Sequence, residues 1–479
     1  MVFQNNVLAG ASNVIDGLPD QFLVNQSIRF NSDDSAYLTR TQPTSTTTNK
    51  LFTISFWIKR QPGTNSIVYN GHLNNSYYSW LGFANDDTFF VQQYQTTNKF
   101  VQTTNRKFRD PSAFYHIVYI YDSANSIESD RTRLYVNGQR ETLIQFTSNT
   151  LYPTSDLANY WIYTGVSNNI GLRASDNLRL DAYIAELAMF QDQGYEPDNF
   201  GETNSSGIWI PKTGIASLNF GDSGFYIKGE NASDLGNDSG TANSGAGYDF
   251  TANGMETNDQ RADTPTNNQI TFNPLNNQKS GGSPSNGNLD YVGPGTRTII
   301  SLTANIPSTG KWAIAYKVAQ VSTGSGWQIG ISTASDKDFS DAVGSNEDLD
   351  LVRMQTTSSD LKINDAVNGS TIDPSLPVTT SDEFWVAVDM DSGKVFLGIY
   401  DASDSSMKFV ANDAGLDGNP ATGDNPTVTF TTAEMPRDDV VFSVGSKQTS
   451  QYIYLQRSTE VSGTTPTGYT YFENLKDLI

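Results

Sequence analysis

An Asn-Gly pair at positions 137 and 138 constrains the fold of this chain more than any other short segment. It follows RTRLYV (131–136), a run rich in β-branched and aromatic residues, and YHIVYIY (115–121) is a second run of that kind. Such residues suit a pleated, half-buried surface. Asn-Gly supplies the two positive φ angles of a type I′ turn, which reverses a right-twisted strand pair. The segment therefore predicts antiparallel strands joined by a tight turn.

Alternating residues extend this prediction to the rest of the chain. LFTISFWIKR (51–60) has period two, which places two sets of side chains on opposite faces of one strand: Phe52, Ile54, Phe56 and Ile58, and Thr53, Ser55, Trp57 and Lys59. Short runs of this kind continue to about residue 190 and resume from about residue 291. We predict an all-β chain of two antiparallel β-sandwich (jelly-roll) domains, residues 27–190 and 291–479, joined by an extended, partly ordered connector, residues 191–290.

A leader, residues 1–26, precedes the first predicted strand. It is rich in apolar side chains but too short for a core of its own. We expect these side chains to be buried, either on the chain's own sandwich and connector or on a partner. The leader lacks the basic start and apolar segment of a signal peptide, and the chain has no cysteine, so we expect folding in a reducing cytoplasm.

The charge of the chain bears on its partners. The net charge of −22 is uneven, because residues 191–479 contain 16 Lys and Arg against 37 Asp and Glu. A polyanionic surface repels phosphate backbones, so we expect no nucleic-acid partner. No run of about 18 apolar residues occurs, so we expect no membrane insertion.

The two predicted sandwiches resemble known families. FTISFWIKR, YHIVYIYD with RLYVNGQ, and DAYIAELAMF resemble strands of the laminin-G-like, concanavalin-type jelly roll. GKWAIAYKV, WQIGIST and VAVDMDSGKVFLGIY resemble strands of a SPRY-type sandwich, and this resemblance assigns Asp389 and Asp391 to a strand and hairpin.

The connector resembles a segment of many phage structural proteins. GIWIPK, GFYI, SDLGNDSG, YDFTANG and DTPTNN occur there in the same order, and TPTGYTYFENL resembles the end of those modules. The resemblance implies a phage virion protein, such as a tail fibre, horn or capsid decoration, made in the host cytoplasm without a signal peptide. Its implied partners are other virion proteins and further copies of itself, as a homo-oligomer.

Folds of this type include sugar-cleaving enzymes, lectins and inert shells. Laminarinase-like members carry two carboxylates on one strand face as E-x-D-x-E. The nearest strings here, ESD at 128–130 and EDLD at 347–350, lack that spacing. The only histidines are His72 and His116, and His116 lies inside a predicted strand, where a packed side chain is expected rather than a general base. We predict that the chain is not an enzyme.

Two candidate sites remain. Aromatic rings and amides hold sugars, and HLNNSYYSWLGF (72–83) concentrates such residues, which we predict to bind glycan: His72, Asn74, Asn75, Tyr77, Tyr78 and Trp80. The alternative is that Trp80 and one tyrosine are core residues. Calcium is the cofactor to expect where loop carboxylates collect, and the candidates are Asp33, Asp34, Asp86 and Asp87. The alternative is that these aspartates form turns.

The sequence thus predicts a non-enzymatic virion surface protein whose lectin-like modules contact host glycans. The alternative is a purely architectural protein, such as a capsid decoration or a tail-fibre spacer without a ligand.

Overall fold

The computed structural model describes most of the chain. The described residues are 23–43, 49–146, 149–205, 207–240, 248–276, 282–294, 298–321, 327–333, 352–357, 360–365, 370–431, 436–446 and 449–478. They divide into two compact units, one within Phe3–Gln269 and the other within Ile270–Ile479. Both units are built from β-strands and short 3-10 turns, and these described ranges contain no α-helix. The predicted all-β fold is confirmed. Across the same ranges, no helix is long and apolar enough to span a membrane.

Two eight-stranded sheets form the first unit. In the order of neighbours, sheet 1 contains β10 (Gln139–Arg140), β9 (Thr132–Val136), β8 (Tyr115–Asp122), β3 (Leu51–Arg60), β15 (Ala182–Gln191), β1 (Ser27–Phe30) and β20 (Gln260–Arg261), with β18 (Phe225–Ile227) also paired to β15. Sheet 2 contains β11 (Leu143–Gln145), β7 (Thr97–Lys107), β6 (Thr88–Gln95), β5 (Tyr77–Phe83), β4 (Ser66–Asn74), β12 (Ser167–Ile170), β2 (Tyr37–Thr41) and β19 (Thr251–Asn253).

Smaller elements complete this unit. Two ribbons pair β13 (Leu172–Arg173) with β14 (Leu178–Arg179), and β16 (Gly201–Thr203) with β17 (Trp209–Pro211). The 3-10 turns are Glu128–Asp130, Pro197–Asn199, Ile215–Ser217 and Thr257–Asp259.

The predicted hairpin is present. β8 pairs with β9, and β9 turns into β10 through Asn137 and Gly138, whose φ angles are 48° and 76°. Both angles are positive, as a type I′ turn requires. Gly138 is needed for a second reason, because a Cβ at this position would come within 2.5 Å of the Trp209 ring.

The core lies between sheets 1 and 2. Phe52, Ile54, Phe56 and Ile58 on β3 all join it, as the alternation of that strand predicts, and they pack with residues of sheet 2 such as Leu81. The other face of β3 is also buried, with Trp57 only 4% and Lys59 only 2% exposed. Sheet 1 therefore has apolar packing on both faces.

The described residues between 191 and 269 cover the second face of sheet 1. Phe200, Ile215 and Phe220 from this segment pack on Val118 of β8 and Phe190 of β15. The segment also contributes strands β18, β19 and β20 to the two sheets. The sequence predicted an extended, partly ordered connector over residues 191–290. In the structure, its part up to Gln269 belongs to the first unit. β18 pairs with β15, β19 and β20 extend the edges of the two sheets, and apolar side chains of the segment pack on the open face of sheet 1.

Only the end of the leader lies within the described residues. Val24 is buried beside Trp57 and Phe114, and its backbone N–H donates to Thr266 Oγ1 at 2.9 Å. Residues 1–22 lie outside the described ranges, so the predicted burial of their apolar side chains stays a prediction.

The second unit contains a nine-stranded sheet 3 and a six-stranded sheet 4. Sheet 3 contains β21 (Ser283–Ser285), β22 (Asp290–Pro294), β34 (Thr449–Leu455), β24 (Lys311–Val318), β29 (Glu383–Asp389), β30 (Lys394–Asp401) and β31 (Ser406–Val410), with β32 (Val428–Thr429) on β30 and β35 (Thr470–Tyr471) parallel to β24. Sheet 4 contains β23 (Thr298–Ser301), β33 (Val440–Ser446), β25 (Gln328–Thr333), β26 (Val352–Thr357), β27 (Asp360–Asp365) and β28 (Ser370–Pro377). Two further 3-10 turns are Pro274–Asn276 and Leu475–Leu478.

The acidic segment VDMDSGK of this unit is a strand and hairpin, as predicted. β29 ends at Asp389, and its Oδ1 accepts hydrogen bonds from the backbone N–H groups of Asp391 and Ser392 at 3.0 and 3.1 Å. These bonds fix the turn into β30, so Asp389 has a structural role.

Candidate functional site

The outer face of sheet 2, turned away from the core, carries a row of aromatic side chains. Because strand residues alternate between faces, Leu81 and Phe83 of β5 point into the core while Tyr78 and Trp80 point outward. The Tyr78 ring lies 6.3 Å from His72 on β4 and 5.1 Å from Tyr94 on β6, and both pairs are nearly parallel. This row crosses three neighbouring strands.

A second aromatic group lies next to this row. The Trp80 and Phe90 rings stack with centroids 4.8 Å apart, and Phe146 meets Phe90 edge-on at 5.0 Å. Trp80 and Phe90 are nearly buried, whereas Phe146 is 42% exposed. The accessible rings on this side of sheet 2 are therefore His72, Tyr78, Tyr94 and Phe146, and Trp80 and Phe90 lie beneath the surface.

A chain of amide side chains crosses the same face. Trp80 Nε1 donates to Gln92 Oε1 at 2.7 Å, and Gln92 Nε2 donates to Asn98 Oδ1 at 2.6 Å. Asn98 Nδ2 then donates to Asn149 Oδ1 at 3.0 Å. Each amide is oriented by its neighbour, so hydrogen-bonding groups stand at fixed positions beside the rings. We call this set the aromatic–amide face: His72, Tyr78, Trp80, Phe90, Gln92, Tyr94, Asn98, Phe146 and Asn149.

The ionisable groups of the aromatic–amide face add little net charge. Arg173 lies 4.7 Å from the Trp80 ring centre, and its Nε donates to Asp176 Oδ1 at 2.7 Å. This hydrogen bond lowers the pKa of Asp176, so the pair stays ionised and its charges cancel. Partial burial lowers the pKa of His72 and raises the pKa of Tyr78, so both are neutral near pH 7. The face suits an uncharged ligand.

The structure brings together three of the residues predicted to bind glycan, His72, Tyr78 and Trp80. Tyr77 points to the opposite face, where its ring lies 5.9 Å from Tyr160. Asn74 and Asn75 are exposed at the β4–β5 turn.

The sequence prediction missed the other members of the face. The alternation in TFFVQQYQ (88–95) could have indicated Phe90, Gln92 and Tyr94, since these residues share one side of β6. No local pattern points to Phe146 or Asn149, which come from a different part of the chain.

The aspartates predicted to bind calcium have protein partners. Asp87 Oδ1 accepts from Arg60 at 3.0 Å, and Asp87 Oδ2 accepts from Arg109 at 3.2 Å. Asp86 pairs with Lys107; although burial opposes the shift, hydrogen bonds from Lys107 and Thr88 lower the pKa of Asp86 to about 2.

The other two aspartates, Asp33 and Asp34, are exposed in the β1–β2 turn, where Asp34 Oδ2 accepts from Asn31 at 2.6 Å. Across the described ranges, no group of three or more His, Cys, Asp or Glu residues is arranged to hold a metal ion. Calcium binding stays a prediction.

His116 is packed between aromatic rings, as the sequence predicts. Its ring stacks on Trp57 with centroids 4.7 Å apart, and its Nε2 lies 2.9 Å from Ser55 Oγ. Trp209 Nε1 donates to Nδ1, so Nδ1 is the acceptor and Nε2 carries the proton. Complete burial lowers the pKa of His116 to about 3. The imidazole is neutral and inaccessible to a substrate.

Comparison with known proteins identifies the first sandwich. Residues 31–193 match the Laminin_G_3 family, described as the Concanavalin A-like lectin/glucanases superfamily. The match begins just after β1 and covers β2 to β15, and this part of the chain has the concanavalin A-like fold. No curated protein matches the sequence.

Several solved structures are similar to the chain at low identity. A putative carbohydrate binding protein from Bacteroides ovatus ATCC 8483 is 15% identical, with a TM-score of 0.32, over 49% of this chain and 60% of that one. Mouse laminin alpha1 chain domains LG4-5 are 9% identical, with a TM-score of 0.29, over 92% of this chain and 88% of that one. The SPRY domain of human HERC1 is 11% identical, with a TM-score of 0.25, over 38% of this chain and 96% of that one.

Proposed function

We propose that this chain is a non-enzymatic carbohydrate-binding protein of a phage virion surface, and that it contacts host-surface glycans through the aromatic–amide face. The observation that carries the binding role is the amide chain from Gln92 to Asn149 set beside the His72–Tyr78–Tyr94 row. The virion location, the virion partners and the homo-oligomer rest on the sequence resemblance alone.

The chemistry of a sugar matches this surface. A sugar ring has apolar C–H groups, which pack on aromatic side chains, and hydroxyl groups, which exchange hydrogen bonds with amides. Aromatic side chains in a fixed row lose little conformational entropy on binding. The near-neutral charge of the face favours uncharged glycans over sulfated or acidic ones.

The buried carboxyl group in sheet 1 does not supply a glycosidase site. Glu186 lies in a β-bulge of β15 and accepts a hydrogen bond from the Tyr226 hydroxyl. Glycoside hydrolysis needs two carboxyl groups that flank an accessible sugar. Glu186 is only 4% exposed, so a polysaccharide cannot reach it.

A glycan array of the purified full chain tests this proposal. We expect binding to uncharged glycans, and we expect the double variant Tyr78→Ala, Tyr94→Ala to weaken that binding at least tenfold, about 1.4 kcal/mol. Tyr163→Ala is the matched control, because Tyr163 is 40% exposed and lies outside the aromatic–amide face. A folded wild-type chain that binds no glycan on the array would instead favour the architectural role.

A further inference from the structure

Three side chains with complementary chemistry meet beneath the segment that covers sheet 1. Lys59, near the end of β3, directs its Nζ to Asp263 Oδ2 at 2.9 Å and to Asn268 Oδ1 at 2.9 Å. Its third donor bond goes to the backbone carbonyl of Gln269. A primary amine, a carboxylate and a carboxamide are thus in direct contact.

This cluster is closed to water. Lys59, Asp263 and Asn268 are 2%, 1% and 2% exposed. The Phe114 and Tyr183 rings lie 5.8 and 5.9 Å from Nζ. Water does not screen charges inside such a site, so the Lys59 amine and the Asp263 carboxyl group interact strongly.

We propose that Lys59 and Asn268 form an intramolecular isopeptide bond, with Asp263 as the catalytic proton carrier. In the first step the Lys59 ammonium transfers a proton to Asp263 Oδ2. The free electron pair of Nζ then attacks Asn268 Cγ and forms the new C–N bond.

The second step releases ammonia. The tetrahedral intermediate passes a second Nζ proton, by way of Asp263, to Asn268 Nδ2. The Cγ–Nδ2 bond breaks, and Nδ2 leaves as ammonia with its electron pair. No oxidant, reductant or cofactor is consumed, and the remaining proton on Asp263 leaves with the ammonia as ammonium.

Neighbouring groups hold the reactants in place. The backbone N–H of Gln269 donates to Asp263 Oδ1 at 2.9 Å, so the other oxygen, Oδ2, stays directed at Lys59. Asn268 Nδ2 donates to the carbonyl of Ser112 at 2.5 Å, which turns the amide oxygen toward the amine. Such orientation of reacting groups can replace a large part of an activation barrier.

The bond would tie the covering segment to sheet 1. Lys59 and Asn268 are 209 residues apart in sequence, so a covalent link between them closes a long loop of the unfolded chain. A cross-link of this kind limits the conformations of the unfolded state, as a disulfide does, in a chain that has no cysteine.

Intact mass spectrometry of the denatured full chain tests the proposal directly. We expect a mass about 17 Da below the sequence mass, the ammonia lost in this nucleophilic substitution. Trypsin should release residues 51–60 joined to residues 262–279, with no cleavage after Lys59, since an acylated lysine is not a trypsin site.

Single variants separate the three roles. Lys59→Arg removes the nucleophile, Asn268→Ala removes the electrophile, and Asp263→Ala removes the proton carrier; each should restore the full sequence mass. Arg29→Lys is the matched control, because Arg29 forms a similarly buried ion pair with Asp259 of the same covering segment. This variant should retain the loss of ammonia.

The mass of the wild-type chain does not depend on whether any variant folds. A single species at the sequence mass, after prolonged incubation of the folded wild-type protein, would overturn the proposal. A loss of ammonia that persists in Lys59→Arg would overturn it as well, because the loss would then arise elsewhere in the chain.

Discussion

Trp209 donates its indole N–H to Nδ1 of His116 at 2.9 Å, and the two rings lie nearly parallel at 22°. His116 also stacks on Trp57 of β3. The three rings of Trp57, His116 and Trp209 therefore link sheet 1 to the segment that covers it. The covering segment is therefore held by a specific aromatic contact as well as by general apolar packing.

Truncation of Trp209 should destabilise the first unit. We expect Trp209→Ala to lower the free energy of unfolding by about 3–5 kcal/mol, because a large packed ring is lost and His116 Nδ1 is left without its donor. Trp209→Phe keeps a ring and should cost less. Urea denaturation measures both values, and equal stability of the alanine variant and the wild type would show that the stack is not needed.

His116 should make the chain sensitive to acid. Its pKa in the folded state, about 3, lies below its ordinary value of 6.5. The unfolded chain therefore takes up a proton at a pH where the folded chain does not. The contribution of neutral His116 to the free energy of unfolding is fully present above pH 6.5. It is lost as the pH falls toward 3, by about 1.4 kcal/mol per pH unit.

The variant His116→Phe tests this linkage, because phenylalanine packs similarly but does not titrate. Near neutral pH it should be less stable than the wild type, since it loses two hydrogen bonds. Its deficit should shrink as the pH falls from 6.5 toward 3. Parallel stability profiles for the two proteins would rule out a contribution from this histidine.

Glu186 should have the opposite effect on stability. Burial raises the pKa of this carboxyl group above its ordinary value of 4.5, although the Tyr226 hydroxyl offsets part of the shift. The folded state then holds a proton that the unfolded chain has released, so stability falls as the pH rises from 4.5 through the raised pKa.

Replacement of Glu186 by glutamine should remove this penalty. We expect Glu186→Gln to melt at a higher temperature than the wild type at pH 8 and at nearly the same temperature at pH 4, because the amide oxygen still accepts from Tyr226. Glu230→Gln is the control: hydrogen bonds from Lys228 and Ser239 lower the pKa of Glu230, so its loss should not stabilise the protein at pH 8. Equal destabilisation of Glu186→Gln at both pH values would contradict the prediction.

The calcium prediction can be tested by thermal unfolding. If loop aspartates bind the ion in the folded state, millimolar calcium should raise the melting temperature relative to EDTA, by mass action. Asp86 pairs with Lys107 and Asp87 pairs with Arg60, so any rise in melting temperature should come from calcium bound at Asp33 and Asp34. The rise should then be absent in the double variant Asp33→Asn, Asp34→Asn. Identical melting curves would leave all four aspartates as turn and ion-pair residues.

Local sequence patterns predicted the strands well, because strand alternation and tight turns depend on residues that are adjacent in sequence. The alternation of β3 placed Phe52 and Ile54 in the core, and Asn137-Gly138 placed the turn. The burial of Lys59 was not predictable in the same way. It depends on Asp263, 204 residues away, and no local pattern reports so distant a partner.

The glycan-binding prediction was limited by the alternation of side chains along a strand. Six residues in one run cannot all face one way on a strand, because adjacent side chains point to opposite faces. Tyr77 and Tyr78 are neighbours in sequence, yet they lie on opposite sides of sheet 2. The partner of Tyr78 is Tyr94 on the next strand, and strand pairing supplies that information.

The dissociation constant of one uncharged array-selected glycan, measured by titration calorimetry, tests the binding role of the aromatic–amide face most directly. Tyr94→Ala and Tyr77→Ala form a matched pair, since both remove a half-buried tyrosine from adjacent strands of sheet 2, on opposite faces. We predict at least a tenfold weaker affinity, about 1.4 kcal/mol, for Tyr94→Ala and an unchanged affinity for Tyr77→Ala. An unchanged affinity in Tyr94→Ala, with the loss in Tyr77→Ala, would contradict this assignment.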